Sequence, residues 1–326
     1  MSYNFDQDPI GSILEYGLLV HQREGTGRQS WRQANINNLP PPSIAVTVDL
    51  TWNDHSFEKS HLLNLLERGR NREAVRRQLD RIFHKLEMEH LIEPFSRDDN
   101  LSTTHRVLTP LGRELIDQGA HLEYLSGLPY IANHWKQSIV KIYHPTDVGI
   151  GTGFLVRPNL VATALHVVER QGFVVELESG QILNYSEVRR PNQSFDLDLA
   201  LIELNDNLQN PPPFRLCPDY QLLDEVVILG YPRIPQSTDA FLVANRGEVS
   251  SEVILFEGDL QAIIVSCLLR GGHSGSPVIN IRGQVIGLVS RNLFQQPMPD
   301  ESINEGLGYA AAISSEWIDD LIQQNV

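Results

Sequence analysis

The chain contains little cysteine. Its 326 residues include two cysteines, Cys217 and Cys267. Small secreted domains are often held together by several disulfides, whereas two cysteines can form at most one. We therefore expect both residues to be free thiols that pack as small apolar side chains in an intracellular, cytoplasmic protein.

The chain also lacks long apolar runs and an excess of positive charge. No apolar run approaches the roughly 20 residues that span a bilayer, and the acidic start, with Asp6 and Asp8, does not resemble a signal peptide. Lys and Arg total 26 against 41 Asp and Glu, a formal net charge of -15. Because like charges repel at range, binding of nucleic acid or anionic membrane across the whole surface is disfavoured. A local basic patch is compatible with these numbers.

Metal-ligand spacings are absent as well. The histidines of the middle region do not form a pattern such as H-E-x-x-H, and the two cysteines are not a C-x-x-C pair. We predict neither a metal nor a cofactor.

Three regions differ in composition and in hydrophobic pattern. The length of the chain leads us to expect several domains, and we predict a multidomain α+β protein. Residues 1–54 have no assigned role, although the alternation from Ile44 to Trp52 predicts one strand. Residues 55–122 are charge-dense and helical in pattern, with helices predicted over Phe57–Leu66, over Arg72–His90 and after the Thr109 N-cap. From 130 to 326, short apolar runs such as Leu199–Leu204 alternate with turn residues, which is typical of an all-β domain.

One heptapeptide has the composition of a nucleophile loop. It runs Gly271-Gly272-His273-Ser274-Gly275-Ser276-Pro277. A serine hydroxyl is a weak nucleophile until a base takes its proton, and the attacked carbonyl needs N–H donors for its developing charge. Glycines beside the serine let the backbone turn those amides inward. The alternative interpretation is a Gly/Ser turn between two strands.

Two further segments supply a base and an acid. His166 follows the run Leu160-Val161-Ala162-Thr163-Ala164-Leu165, and a histidine has the pKa range of a general base. Asp198 stands directly before the apolar run Leu199–Leu204, where it could orient the histidine. Asp196 is a rival two residues earlier, and we favour Asp198 because the apolar run begins at Leu199.

These segments together resemble the trypsin/chymotrypsin-like serine peptidases, with the nucleophile motif most similar to bacterial HtrA-type and glutamyl-endopeptidase members. The order His, Asp, Ser is that of the family. The resemblance covers about 130–326 and implies an all-β chymotrypsin-like double β-barrel. It also implies catalysis by His166, Asp198 and Ser274, and an oxyanion hole formed by the N–H groups of Gly272 and Ser274.

The same resemblance implies a specificity pocket. Leu268 falls at its base, six residues before Ser274, and Ser290, Gly308 and Ala310 fall on its walls. The absence of an acidic residue at the base disfavours cleavage after Arg or Lys and favours a small or medium apolar side chain. Arg291 at the rim could instead attract an acidic one.

His273 stands where secreted members place the aspartate of their activation switch. We therefore expect another form of control, exerted on the loop by the N-terminal region or its partner.

Residues 55–122 resemble a small winged helix-turn-helix domain, most specifically in the stretch MEHLIEPFSRDDNLSTTHRVLTPLGREL. The preceding helix carries Arg72, Arg76, Arg77, Arg81 and Lys85, which could meet phosphates, but acidic residues interleave with them. We favour docking of a regulatory protein or self-association over DNA binding.

The leading hypothesis is a serine endopeptidase acting on protein or peptide substrates and regulated through residues 55–122. The alternative is a DNA-binding or partner-binding regulator whose peptidase-like domain acts on itself or on one dedicated partner.

Overall fold

The computed structural model describes the parts of the chain that carry the predicted peptidase and most of the predicted winged helix. The described residues are 10, 11, 13, 14, 57–59, 63, 72–97, 100–146, 149–191, 197–237, 239–254, 261–267, 269, 271–290 and 309–324. They fall into two compact units, Met1–Leu125 and Ser126–Val326. The strand predicted from Ile44 to Trp52, the pocket residues Leu268, Gly308 and Arg291, and the rival Asp196 lie outside the described residues. The domain boundaries drawn from the sequence remain predictions.

The first unit combines helices with a three-stranded antiparallel sheet in the order β1-β3-β2. Its elements are β1 Phe57–Glu58, α1 Arg72–Met88, β2 Ile92–Arg97, β3 Asn100–Leu108 and α2 Pro110–Gln118. The apolar positions of α1 recur every three or four residues, so one face of the helix is buried through Val75, Leu79, Phe83 and Leu86.

The start of α2 follows the prediction. Thr109 is its N-cap, and its side chain accepts a hydrogen bond from the Gly112 N–H at 3.0 Å. Gly119 ends the helix in the left-handed conformation, with φ 68.

Two details of this unit differ from the sequence-based picture. Phe57–Glu58, predicted to open a helix, is a strand that pairs with Arg106 and His105 of β3; the wrong assignment arose because pairing to a distant strand outweighs local propensity. Lys85 is not a free member of the basic stripe, since its Nζ donates to the Leu125 carbonyl at 2.6 Å. The winged-helix assignment remains a prediction.

Residues His121–Trp135, labelled α3, form two helical segments joined at a kink. Gly127 lies at this kink with φ 71 and ψ -171, a conformation open to glycine because it has no Cβ. A short 3-10 turn, Lys136–Ser138, then leads into the β region.

The second unit begins with a seven-stranded sheet in the order β8-β7-β4-β5-β6-β10-β9. Its strands are β4 Ile139–Tyr143, β5 Ile150–Arg157, β6 Leu160–Thr163, β7 Val174–Leu177, β8 Ile182–Leu183, β9 Tyr185–Arg189 and β10 Ala200–Leu204. A one-turn helix, α4 Leu165–Val168, follows β6. The side chains on one face of this sheet, such as Val140, Leu155 and Ile202, pack into a core of their own.

The remaining strands close into a barrel in the order β11-β12-β13-β16-β15-β14. They are β11 Glu225–Gly230, β12 Val243–Ile254, β13 Gln261–Val265, β14 Pro277–Asn280, β15 Val285–Val289 and β16 Ala310–Ser314, and helix α5, Ser315–Gln323, follows them. The double β-barrel expected from the resemblance is therefore supported by two barrel-like sheets.

The two sheets of this unit share one apolar core. Phe154 of β5, Leu229 of β11 and Leu288 of β15 belong to the same buried cluster. Burying each such side chain contributes about 1.5–3 kcal/mol, so the interface fixes the sheets relative to each other. The loops at their junction carry the predicted catalytic residues.

Candidate active site

Neighbouring strands bring the predicted base and acid together. His166 lies in α4, directly after β6, and Asp198 lies two residues before β10. The strands are antiparallel partners with Ala200 opposite Thr163, so the end of one meets the start of the other. This pairing places residues 32 positions apart in sequence side by side.

The Asp198 carboxylate holds His166 at two points. The ring Nδ1 lies 2.8 Å from Oδ2 and 2.9 Å from Oδ1, and the His166 backbone N–H donates to Oδ1 at 3.0 Å. Because a carboxylate only accepts hydrogen bonds, Nδ1 is the donor in this contact, and in a neutral imidazole Nε2 would then be the acceptor.

Asp198 is 4% exposed, and burial by itself would raise the pKa of its carboxyl group. The hydrogen bond and charge of His166, the Ser290 hydroxyl and the His166 backbone N–H outweigh burial, so the pKa lies below its usual value. The group is therefore an anion at neutral pH, as an orienting acid must be.

The nucleophile loop lies against the same end of the first sheet. The Thr152 backbone N–H donates to the Ser274 carbonyl at 2.9 Å. Gly275 has φ 84, and a Cβ there would lie 2.0 Å from the Thr152 carbonyl oxygen and 2.9 Å from the Ala164 nitrogen. Only glycine permits this approach, which brings Ser274 next to the segment that bears His166.

The Ser274 side chain is half-buried, while its neighbours Gly272, His273 and Gly275 are buried. Among the described residues, its hydroxyl makes no hydrogen bond with His166. Such contacts are often long in free enzymes and tighten when substrate binds.

Gly272 shows why the predicted oxyanion loop needs glycine. Its φ is 105, and a Cβ at this position would lie 2.3 Å from the Tyr231 carbonyl oxygen. His273, the next residue, is buried, and its Nε2 lies 2.9 Å from Nδ2 of Asn245. His273 is thus tied to the closed barrel through Asn245 of β12.

Two of the predicted pocket residues can be placed. Ser290 follows β15 and its N–H donates to the Ala311 carbonyl at 3.1 Å, next to Ala310 on β16. The two predicted walls are thus neighbouring strands, with Val289 opposite Ala312.

Sequence reasoning missed a second role of Ser290. Its hydroxyl donates to Oδ2 of Asp198, a residue 92 positions away. Nothing local in the sequence marks Ser290 for this contact, because it depends on how the closed barrel packs on the first sheet.

Neither a metal cluster nor a membrane helix accompanies this site in the described part of the chain. No group of three or more His, Cys, Asp or Glu residues there could hold a metal ion. No described helix is long and apolar enough to cross a bilayer.

Comparison with known proteins finds a peptidase domain over the region that contains these residues. Residues 151–288 match the model of the trypsin-like peptidase domain. Human serine protease HTRA4 is 31% identical over 144 residues, which are 43% of this chain and 30% of that protein. Protease Do-like 2 of Arabidopsis thaliana is 27% identical over 172 residues, 52% of this chain and 28% of that protein. The chain thus spans less than a third of the length of these two relatives.

Solved structures give weaker likenesses. The serine endoprotease from Yersinia pestis is 17% identical with a TM-score of 0.47, over 60% of this chain and 65% of that one. The active form of the Rv3671c protease from M. tuberculosis is 20% identical with a TM-score of 0.47, over 59% of this chain and 82% of that one. At these values the likeness supports no conclusion about this chain. The domain match and the curated relatives support a trypsin-like peptidase domain over residues 151–288.

Proposed function

We propose that this protein is a serine endopeptidase that cleaves peptide bonds through an acyl-enzyme. The observation that carries the proposal is the buried, ionised Asp198 holding His166 Nδ1, with the Ser274 loop packed on the same strand end. A structural ion pair alone would not require a glycine-lined serine loop beside it.

In the proposed reaction, Ser274 Oγ attacks the scissile carbonyl carbon as His166 Nε2 takes its proton. Asp198 stabilises the imidazolium that forms. The N–H groups of Gly272 and Ser274 bind the negative oxygen of the tetrahedral intermediate. His166 then gives its proton to the leaving amine, and water hydrolyses the ester at Ser274 by the same steps with His166 as base. No cofactor is needed.

We also propose that the residue before the cut has a small or medium apolar side chain. Ala310 is buried beside Ser290 at the place where the pocket walls are expected. Leu268, Gly308 and Arg291 complete the proposed pocket.

We further propose a cytoplasmic protein whose first unit regulates the peptidase by binding a partner or a second copy. Both cysteines are free, as a reducing compartment favours. The first unit has its own apolar core, including Leu79, Leu115 and Ile92, so it is packed as a module.

The test of the peptidase proposal is labelling with a fluorophosphonate, which reacts with activated serines. We expect labelling of the full chain, and mass spectrometry should place the phosphonate on Ser274. Ser274→Ala should abolish labelling, because it removes the nucleophile, and His166→Ala should reduce it at least 100-fold, because it removes the base. Ser186→Ala, at an exposed serine of β9, is the matched control and should label like the wild type. A folded wild type that is not labelled, or one labelled elsewhere than Ser274, would contradict the proposal.

A further inference from the structure

In the nucleophile loop, four successive backbone carbonyl groups each accept a hydrogen bond. The Gly271 carbonyl accepts from the Arg233 N–H at 3.1 Å, and the His273 carbonyl accepts from the Ser276 N–H at 2.9 Å. The Gly272 carbonyl accepts from the Thr152 hydroxyl at 2.7 Å, and the Ser274 carbonyl accepts from the Thr152 N–H at 2.9 Å.

These contacts fix where the loop's N–H groups point. In a planar trans peptide the C=O and the N–H point in opposite directions. Fixing the Gly271 and His273 carbonyls therefore fixes the N–H groups of Gly272 and Ser274, the proposed oxyanion donors. The Gly272–His273 peptide lies between these two and joins them, so its rotation would turn both.

That joining peptide is held by a side chain. Thr152 is 0% exposed, and its hydroxyl accepts from the Tyr231 N–H at 2.9 Å, which leaves its own proton for the Gly272 carbonyl. The partners named above for the other three carbonyls are backbone N–H groups. Thr152 belongs to β5 of the first sheet, whereas Tyr231 and Gly272 belong to the closed-barrel side.

We propose that Thr152 is a positioning residue of the oxyanion hole, coupling the first sheet to the loop that carries the two donors. The inference rests on the proposed peptidase function. Thr152 acts through Gly272 and touches no reacting atom. The hydroxyl sets the direction of the donors toward the oxyanion, so its loss should slow acylation more than it weakens substrate binding.

The experiment measures the second-order rate of fluorophosphonate labelling in the full chain, together with the thermal unfolding midpoint. Loss of one oxyanion donor costs about 100- to 1,000-fold in rate. Thr152→Val keeps the shape but leaves both donors less well aimed, so we expect a loss of about 10- to 100-fold. Thr152→Ser keeps the hydroxyl and should stay within about threefold of the wild type.

A matched control separates positioning from stability. Ser138 is also 0% exposed, and its hydroxyl donates to the Pro212 carbonyl at 2.7 Å, the same distance as the Thr152 contact. Ser138→Ala should lower the unfolding midpoint as a buried hydrogen bond is lost, while the labelling rate stays within about threefold of the wild type.

A second pair covers the case in which Thr152→Val does not fold. Thr152→Ser and Thr152→Cys both lose the methyl group and differ in one atom, and a thiol is a weak donor. We expect the cysteine variant to label at least fivefold more slowly than the serine variant, and on a peptide substrate the loss should appear in kcat with KM little changed.

Equal labelling rates for wild type and folded Thr152→Val, or for the serine and cysteine variants, would overturn the inference and leave the peptidase proposal standing. A loss in Ser138→Ala as large as that in Thr152→Val would overturn it as well, because the effect would then be one of stability. A wild type that is not labelled overturns the peptidase proposal and this inference with it.

Discussion

Asp198→Asn perturbs the proposed site with the smallest change in shape. Asp198 accepts hydrogen bonds from the His166 ring, the His166 backbone N–H and the Ser290 hydroxyl, and both of its oxygens face donors. An asparagine replaces one oxygen with an NH2 group, which then faces a donor. The contact recovers if the imidazole proton moves from Nδ1 to Nε2, and in that tautomer His166 cannot accept the proton of Ser274.

The expected loss is large. In triads of this type the same exchange lowers kcat by about 10⁴-fold, which corresponds to about 5 kcal/mol of transition-state stabilisation. The assay is the rate of fluorophosphonate labelling, supported by hydrolysis of a peptide substrate. Near-ultraviolet circular dichroism should show that the variant keeps its tertiary packing, because the exchange preserves volume.

The matched control is Asp196→Asn, the same exchange at the rival aspartate. We expect it to keep the labelling rate within about threefold of the wild type, because the described contacts to His166 come from Asp198. The reasoning is refuted if Asp198→Asn loses less than tenfold while folded, or if Asp196→Asn loses as much.

Two further predictions concern stability. Ser290→Ala removes one of the groups that lower the pKa of Asp198, so that pKa should rise. A lowered pKa stabilises the fold above the unfolded value of about 3.9, and this contribution is lost as the pH falls through the folded value. In urea unfolding we therefore expect Ser290→Ala to be less stable by about 1.5–3 kcal/mol at pH 7, and the difference should shrink below about pH 4; a difference that stays constant to pH 3 would argue against the mechanism. Gly275→Ala should destabilise the chain by more than about 3 kcal/mol, because its methyl would overlap the Thr152 carbonyl at a positive φ. A thermal unfolding midpoint within 2 °C of the wild type would show that the loop can move aside.

The residues of the proposed site were predictable because each carries a local signal. Ser274 stands among glycines, His166 follows an apolar run, and Asp198 directly precedes one. The apolar run predicted over Leu199–Leu204 corresponds to β10, Ala200–Leu204, for the same reason, since four of the five residues of that strand are buried and apolar. These signals lie in neighbouring residues of the sequence, because hydrophobic periodicity and turn formation both depend on residues that are close along the chain.

Other features were missed because their causes are distant in sequence. β9, Tyr185–Arg189, is polar and forms by pairing with β10. Phe57–Glu58 forms a strand because it pairs with β3, which lies far from it in the sequence.

The sequence by itself determined the types of the proposed catalytic groups and their order along the chain. It also determined the glycines at 272 and 275, because a loop of that shape excludes a Cβ. The tertiary structure decided which groups meet. Ser290 reaches Asp198, and Thr152 reaches Gly272, because two sheets pack on one apolar core. A contact across a packed interface depends on the positions of both partners. It therefore cannot be predicted from the residues that neighbour either partner in the sequence.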